Sequence, residues 1–149
     1  MSKTLEVVTF LSMNGNTMKA IEFYKKHLCA KVEMKVTYES VAKMGANIVV
    51  SEENKNLISH SIIKIGNTKI MLAEDTMDVK EDYKVGNNTS LCIQSADLQE
   101  INDFYEGVVS DERTRIIVPL GKIVFSEAYG IVEDPWGVQI QFMYDARLK

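Results

Sequence analysis

Tyr129-Gly130-Ile131-Val132-Glu133-Asp134-Pro135-Trp136-Gly137-Val138-Gln139-Ile140-Gln141-Phe142 reads as a strand, a tight turn and a second strand. Apolar residues recur on both sides of Asp134-Pro135-Trp136-Gly137, a tetrapeptide made of residues that turns favour. An earlier stretch, Ile62 to Leu72, has the same hairpin shape around Gly66-Asn67, a pair that suits primed two-residue turns. Ahead of each hairpin lies a helical pattern with an aromatic pair at a matching place, Phe23-Tyr24 and Phe104-Tyr105. The chain therefore reads as an internal duplication.

Working outward, Val7 to Met13 is a β-rich run, and Asn14-Gly15-Asn16-Thr17 supplies a turn and a helix N-cap before Met18, Ile21, Tyr24 and Leu28. Val32, Met34 and Val36 alternate with Glu33 and Lys35, as in a half-buried strand. Tyr38 to Asn56 holds only small apolar clusters and a polar run, which predicts a long, partly mobile connection. Ser59 to Ile65 and Thr68 to Ala73 flank Gly66-Asn67. Beyond an acidic, apolar-poor stretch, Thr89 to Gln94 reads as a strand and Asp97 caps a helix carrying Leu98, Ile101, Phe104, Tyr105 and Val108. Thr114 to Val118 reads as a strand stopped by Pro119-Leu120-Gly121, Lys122 to Glu127 is ambiguous between loop and strand, and the closing hairpin follows. The expected architecture is α+β: two β-α-β-β-β modules, over about residues 5–73 and 89–145, with a linker over about 74–88.

At 149 residues the chain is long enough to bury roughly two-thirds of its unfolded surface. Hydrophobic content of 46% against 26% charged argues for a globular protein rather than a disordered one. A net charge of −4, with scattered basic residues, gives nucleic acid no general attraction. The opening residues lack the apolar core of a signal peptide and no stretch approaches about 18 apolar residues, so a cytoplasmic protein without membrane partners is expected. Cys29 and Cys92 show neither CxxC spacing nor a disulfide framework; both are expected reduced and partly buried, as small hydrophobes.

Strand alternation separates two faces. Val8 and Phe10, Ile70 and Leu72, Leu91 and Ile93, and Val138, Ile140 and Phe142 form an apolar set for the helices to cover. The opposite set is Thr9, Leu11 and Met13; Lys69, Met71 and Ala73; Ser90, Cys92 and Gln94; and Gln139, Gln141 and Met143. It is soft and weakly polar, the composition of many small-molecule pockets, and equally that of a solvated outer face.

The order Leu11-Ser12-Met13-Asn14-Gly15-Asn16-Thr17-Met18-Lys19-Ala20-Ile21-Glu22-Phe23-Tyr24, then Gly66 to Leu72, then Tyr129 to Phe142, resembles the vicinal oxygen chelate superfamily, also called the glyoxalase and bleomycin-resistance fold, in its PhnB-like branch. The resemblance implies that paired modules form a U-shaped cleft and that the chain is a homodimer. It also implies that metal-dependent relatives take ligands from the first and fourth strands of each module. Those positions fall near Thr9, Met71, Ser90 and Gln141, none a usual hard-metal ligand, so no metal and no other cofactor is expected. Sequences of this branch are often labelled 3-demethylubiquinone 3-methyltransferase-like, but no glycine-rich methyl-donor motif is present.

His27, late in the first helix, suits a surface role at a helix C-terminus. His60, opening the third strand, faces either solvent or the cleft, and in the cleft it is the histidine that would meet a ligand or serve as a base. Glu74 and Asp75 merge with Asp78, Glu81 and Asp82 into a solvated acidic run. Tyr129 and Trp136 flank the closing hairpin, placed either to stack on a flat ligand at the cleft mouth or to pack the turn. The expected ligand-cleft set is thus Thr9, Leu11, His60, Met71, Ser90, Cys92, Tyr129, Trp136, Gln139, Gln141 and Met143. The leading reading is a metal-independent binder of a small organic molecule. The alternative is a glyoxalase-superfamily enzyme of lyase, dioxygenase or transferase type with a divergent or metal-dependent site.

Overall fold

The computed structural model describes residues 2–74 and 82–149, and the chain falls into two compact units, Met1–Tyr83 and Lys84–Lys149. Asp75, Asp78 and Glu81 of the acidic run lie outside the described residues. In the first unit the elements are β1 (Thr9–Ser12), α1 (Thr17–Leu28), β2 (Lys31–Thr37), α2 (Tyr38–Lys43), β3 (Ile58–Ile65) and β4 (Thr68–Ala73). In the second they are β5 (Ser90–Ser95), α3 (Leu98–Val109), β6 (Arg115–Ile123), β7 (Ser126–Glu133) and β8 (Gln139–Tyr144), followed by a 3₁₀ turn at Ala146–Leu148.

The two units repeat one topology. Their sheets run β1-β4-β3-β2 and β5-β8-β7-β6, with the outer pairs β1/β4 and β5/β8 parallel and every other pair antiparallel. Each is therefore a mixed four-stranded sheet, and the α+β class of two β-α-β-β-β modules is what the chain adopts. Both expected hairpins are present. Ile65 pairs with Thr68 across Gly66-Asn67, and Gly66 alone of the two has a positive φ, 57°, which makes a II′ turn that needs glycine first. Around Asp134-Pro135-Trp136-Gly137 the buried Asp134 carboxylate accepts from Trp136 N–H at 3.0 Å and Val138 N–H at 2.9 Å. Gly137, at φ 90°, completes that turn.

In unit one Ile21, Tyr24 and Leu28 of α1 are buried against sheet residues Ile63 and Leu72, each at most 1% exposed. Burial of such a side chain contributes roughly 1.5–3 kcal/mol, which holds helix to sheet. In unit two Ile101 and Val108 of α3 are buried, and Tyr105 meets Phe142 of β8 edge-on, ring centroids 5.8 Å apart. Met18 and Leu98, read as helix anchors, are exposed at the helix starts.

Several local expectations are corrected. Residues 38–56 are not wholly irregular: α2 begins there, its first turn capped by Thr37 Oγ1 accepting from Ser40 N–H at 3.1 Å. The run into Pro119 does not stop. β6 continues to Ile123 because it is an edge strand, where a missing N–H is tolerated, and register shifts between Val118, Gly121 and Ile123 absorb the proline. Lys122 to Glu127 resolves into a hairpin, with Val124 and Phe125 exposed at its tip.

The turn and N-cap position fall within Asn14 to Thr17 as expected, but the capping side chain comes from elsewhere. Asn14 and Gly15 both have positive φ, and Asn16 N–H donates to Met13 C=O, a type I′ turn. Asn16 occupies the N-cap position without a side-chain bond. Glu74 supplies the acceptor instead: its Oε1 takes Thr17 N–H at 3.1 Å and Thr17 Oγ1–H at 2.8 Å, and its Oε2 takes Ile58 N–H at 3.0 Å. Glu74 is 2% exposed, so it belongs to the core of unit one and not to a solvated acidic run. Among the described residues, no helix is long and apolar enough to cross a membrane.

Candidate functional site

Each sheet has one face under its helix and one away from it. In module two the faces fall where alternation placed them. Leu91 pairs with Ile140 and Ile93 with Phe142 on the α3 side, while Ser90 pairs with Gln139, Cys92 with Gln141 and Gln94 with Met143 on the other. β7 adds Tyr129 beside Met143, Ile131 beside Gln141 and Glu133 beside Gln139.

On that face Tyr129 O–H donates to Gln141 Oε1 at 2.8 Å, and Gln141 Nε2–H donates to Ser90 Oγ at 2.8 Å. Three neutral groups from three adjacent strands are thus joined end to end. The chain fixes the Gln141 amide and leaves the Ser90 hydroxyl hydrogen and the Tyr129 oxygen lone pairs directed to other partners. One edge of the patch is aromatic: Phe125, 71% exposed, meets Tyr129 edge-on with centroids 5.7 Å apart. The Gln139 end is charged instead, since Arg115 donates to its neighbour Glu133 at 2.7 Å.

Cys29 is exposed, so the expectation of a partly buried thiol is not met there, whereas Cys92, on this face, is open on one side and partly covered by the sheet. Cys29 sits in a left-handed C-cap conformation at φ 54°, turned away from the core. Desolvation by the surrounding sheet pushes the Cys92 thiol above its ordinary pKa, which lowers its thiolate fraction and with it its nucleophilicity.

Trp136 is not with Tyr129. It lies in the turn at the far end of the β7–β8 hairpin, and the Arg113 guanidinium covers its ring at 5.4 Å. Asp111 holds Arg113 there through 2.7 Å and 3.0 Å bonds. Trp136 therefore packs the junction after α3, and sequence order alone could not separate the two aromatics.

In module one the phase of β1 differs from the expected one. Parallel pairing sets Thr9 beside Ile70 and Leu11 beside Leu72, and Phe10 beside Met71. Neighbours in register share a face, so Thr9 and Leu11 join Ile70 and Leu72 on the α1 side, and Phe10 takes the face they were assigned. Met13, next in the same alternation, is buried. The sequence hides this because both alternating sets of Val7 to Met13 are apolar, and the one signal was that Met13 closes the set containing Leu11. His60 pairs with Val36, and Met71 pairs with Ile62, which pairs with Met34, all on the face away from α1. Phe10 is 45% exposed there.

The positions where a metal-dependent relative would carry ligands thus present Phe10 and Met71 in module one and Ser90 and Gln141 in module two. A phenyl ring, a thioether, a hydroxyl and an amide already bonded on both sides do not fit a divalent ion. Among the described residues no group of three His, Cys, Asp or Glu side chains converges to hold one.

Two repeated mixed sheets of this order define a fold shared with several solved structures. Protein PA1353 from Pseudomonas aeruginosa is 19% identical with a TM-score of 0.78, over 95% of this chain and 98% of its own. A putative 3-demethylubiquinone-9 3-methyltransferase, the PhnB protein from Bacillus cereus, is 19% identical with a TM-score of 0.71, over 95% and 100%. The genomically encoded fosfomycin resistance protein FosX from Listeria monocytogenes is 12% identical with a TM-score of 0.60, over 97% and 95%. The chain belongs to the Glyoxalase/Bleomycin resistance protein/Dioxygenase superfamily, whose family model matches residues 7–142. No curated protein sequence matches it.

Proposed function

We propose that the protein binds a small organic molecule, without a metal, against the face of module two that carries Ser90, Gln141 and Tyr129. The hydrogen-bonded chain through Gln141 is the observation that carries this reading. It presents oriented neutral donors and acceptors beside Phe125, Ile131 and Met143, which favours an uncharged or weakly polar ligand with an aromatic or aliphatic body. The cost of ordering Gln141 is met in the free protein, so a ligand gains from groups already in place.

A thermal-shift screen of aromatic and peptide-like small molecules tests it. A ligand at about one hundred times its Kd stabilises the native state by about 2.7 kcal/mol, and at about 2–4 °C per kcal/mol that is a rise of roughly 5–10 °C. Gln141→Leu and Tyr129→Phe are expected to abolish or halve the rise. A screen without a hit, or a hit indifferent to Gln141→Leu, would sink the proposal. A stoichiometric divalent ion whose removal also removes an activity would favour a metal-dependent enzyme instead. We propose in addition that the chain forms a homodimer, as the fold resemblance suggests. Sedimentation at the 16.8 kDa monomer mass would refute this.

A further inference from the structure

We propose that the face of module one away from α1 binds an amphipathic anion, a small molecule with a carboxylate, phosphate or sulfonate group on an apolar body. Lys31 of β2 pairs with Lys64 of β3, and Lys64 pairs with Lys69 of β4. Three ammonium-bearing side chains therefore stand in one line across three adjacent strands, about 4.8 Å apart at each step. Like charges directly opposite one another disfavour sheet pairing, so the row is a cost that packing within the sheet does not relieve. Among the described residues only Lys69 of the three has a carboxylate at ion-pair distance, Glu6 at 3.2 Å on a half-exposed pair. An anion placed over the row meets at least two ammonium groups, and charge-assisted bonds are the stronger kind.

The next step along the same face explains the apolar body. Met34 pairs with Ile62 and Ile62 with Met71, two residues along β3 and β4 from Lys64 and Lys69 and therefore on the same side. All three are half-buried, neither sealed in the core nor fully solvated. Two thioethers flanking an isoleucine make an adaptable apolar floor. A charged row bordering such a floor matches a molecule that is anionic at one end and apolar at the other. The lysine row and its apolar floor belong to module one alone and share no residue with Ser90, Gln141 and Tyr129.

Fluorescence titration with two matched probes tests it: 8-anilinonaphthalene-1-sulfonate and N-phenyl-1-naphthylamine, the same ring system without the sulfonate. The anionic probe is expected to bind at least about tenfold more tightly at low salt and to lose that advantage as salt screens the row. Lys31→Gln combined with Lys64→Gln is expected to weaken the anionic probe about tenfold and flatten its salt dependence, leaving the neutral probe unchanged and the melting temperature the same or slightly higher. Lys19→Gln with Lys26→Gln, which removes the same charge from α1, is expected to leave binding intact. Equal affinity for the two probes, insensitivity to the Lys31/Lys64 pair, or an equal loss in the Lys19/Lys26 control would each overturn the proposal. Binding to phosphatidylglycerol vesicles that depends on Lys31 and Lys64, with probe binding unaffected, would overturn it in favour of a membrane surface.

Discussion

Replacing Glu74 by alanine should be among the most damaging single changes in the first unit. Its carboxylate takes two backbone N–H groups, those of Thr17 and Ile58, and the Thr17 hydroxyl, and both donor residues are fully buried. Its own backbone is tied to the same places, with Glu74 N–H donating to Ile58 C=O and Glu74 C=O accepting from Asn14 N–H at 2.7 Å. Without the side chain, two buried backbone donors lose their partner, each at about 1–3 kcal/mol, and α1 loses its only N-terminal acceptor among the described residues. The sum is about 4 kcal/mol. With a urea m-value of about 2 kcal/mol/M, the unfolding midpoint should fall by about 2 M. Glu74→Gln keeps the size and one acceptor oxygen but points an N–H₂ at one of the donors, so it should cost about half as much. Amide exchange offers a direct check, because protection of Thr17 and Ile58 should drop first in both variants. A midpoint within about 0.5 M of the parent for Glu74→Ala, with those two amides still protected, would refute the claim that this carboxylate pins turn, helix and strand together.

Gly130→Ala should destabilise module two by about 2–3 kcal/mol, a drop of roughly 5–10 °C in melting temperature. Its Cβ would meet the Leu120 backbone at 2.9 Å and Val118 C=O at 3.0 Å, so the irregular stretch of β6 must move; an unchanged melting temperature would contradict that close approach. Cys29→Gly should stabilise by about 0.5–1 kcal/mol, because the C-cap φ of 54° strains any side chain; calorimetry showing a loss would refute it. Cys92 should react with iodoacetamide more slowly at pH 7.5 in the native protein than in urea. Its raised pKa leaves the native thiol less ionised, and the rate should still climb beyond the pH at which the unfolded thiol has levelled off. Equal native and unfolded rates across that range would show that the sheet does not desolvate it.

The repeated hairpins, the helices after Thr17 and Asp97 and the split of module two into apolar and polar faces were all legible in the chain. Each rests on local rules: turn residues, spacing of apolar positions and strict alternation. Asp97 is a local cap and bonds Gln99 and Glu100 N–H as the spacing implies. Glu74 was not legible, since its partners lie 16 and 57 residues away and nothing in its acidic surroundings marks it as buried. The same holds for the lysine row, which exists only because antiparallel pairing brings residues 31, 64 and 69 into register.

The sequence by itself determined the duplicated β-α-β-β-β order and the neutral character of the face bearing Ser90 and Gln141, because alternation on a strand with one apolar side has a single solution. Tertiary structure decided which face β1 shows, what Trp136 packs against and that Tyr129, Gln141 and Ser90 form one chain. Those depend on strand register and on contacts between distant segments. Where both alternating sets are apolar, as in Val7 to Met13, only pairing with β4 chooses between Thr9 and Phe10.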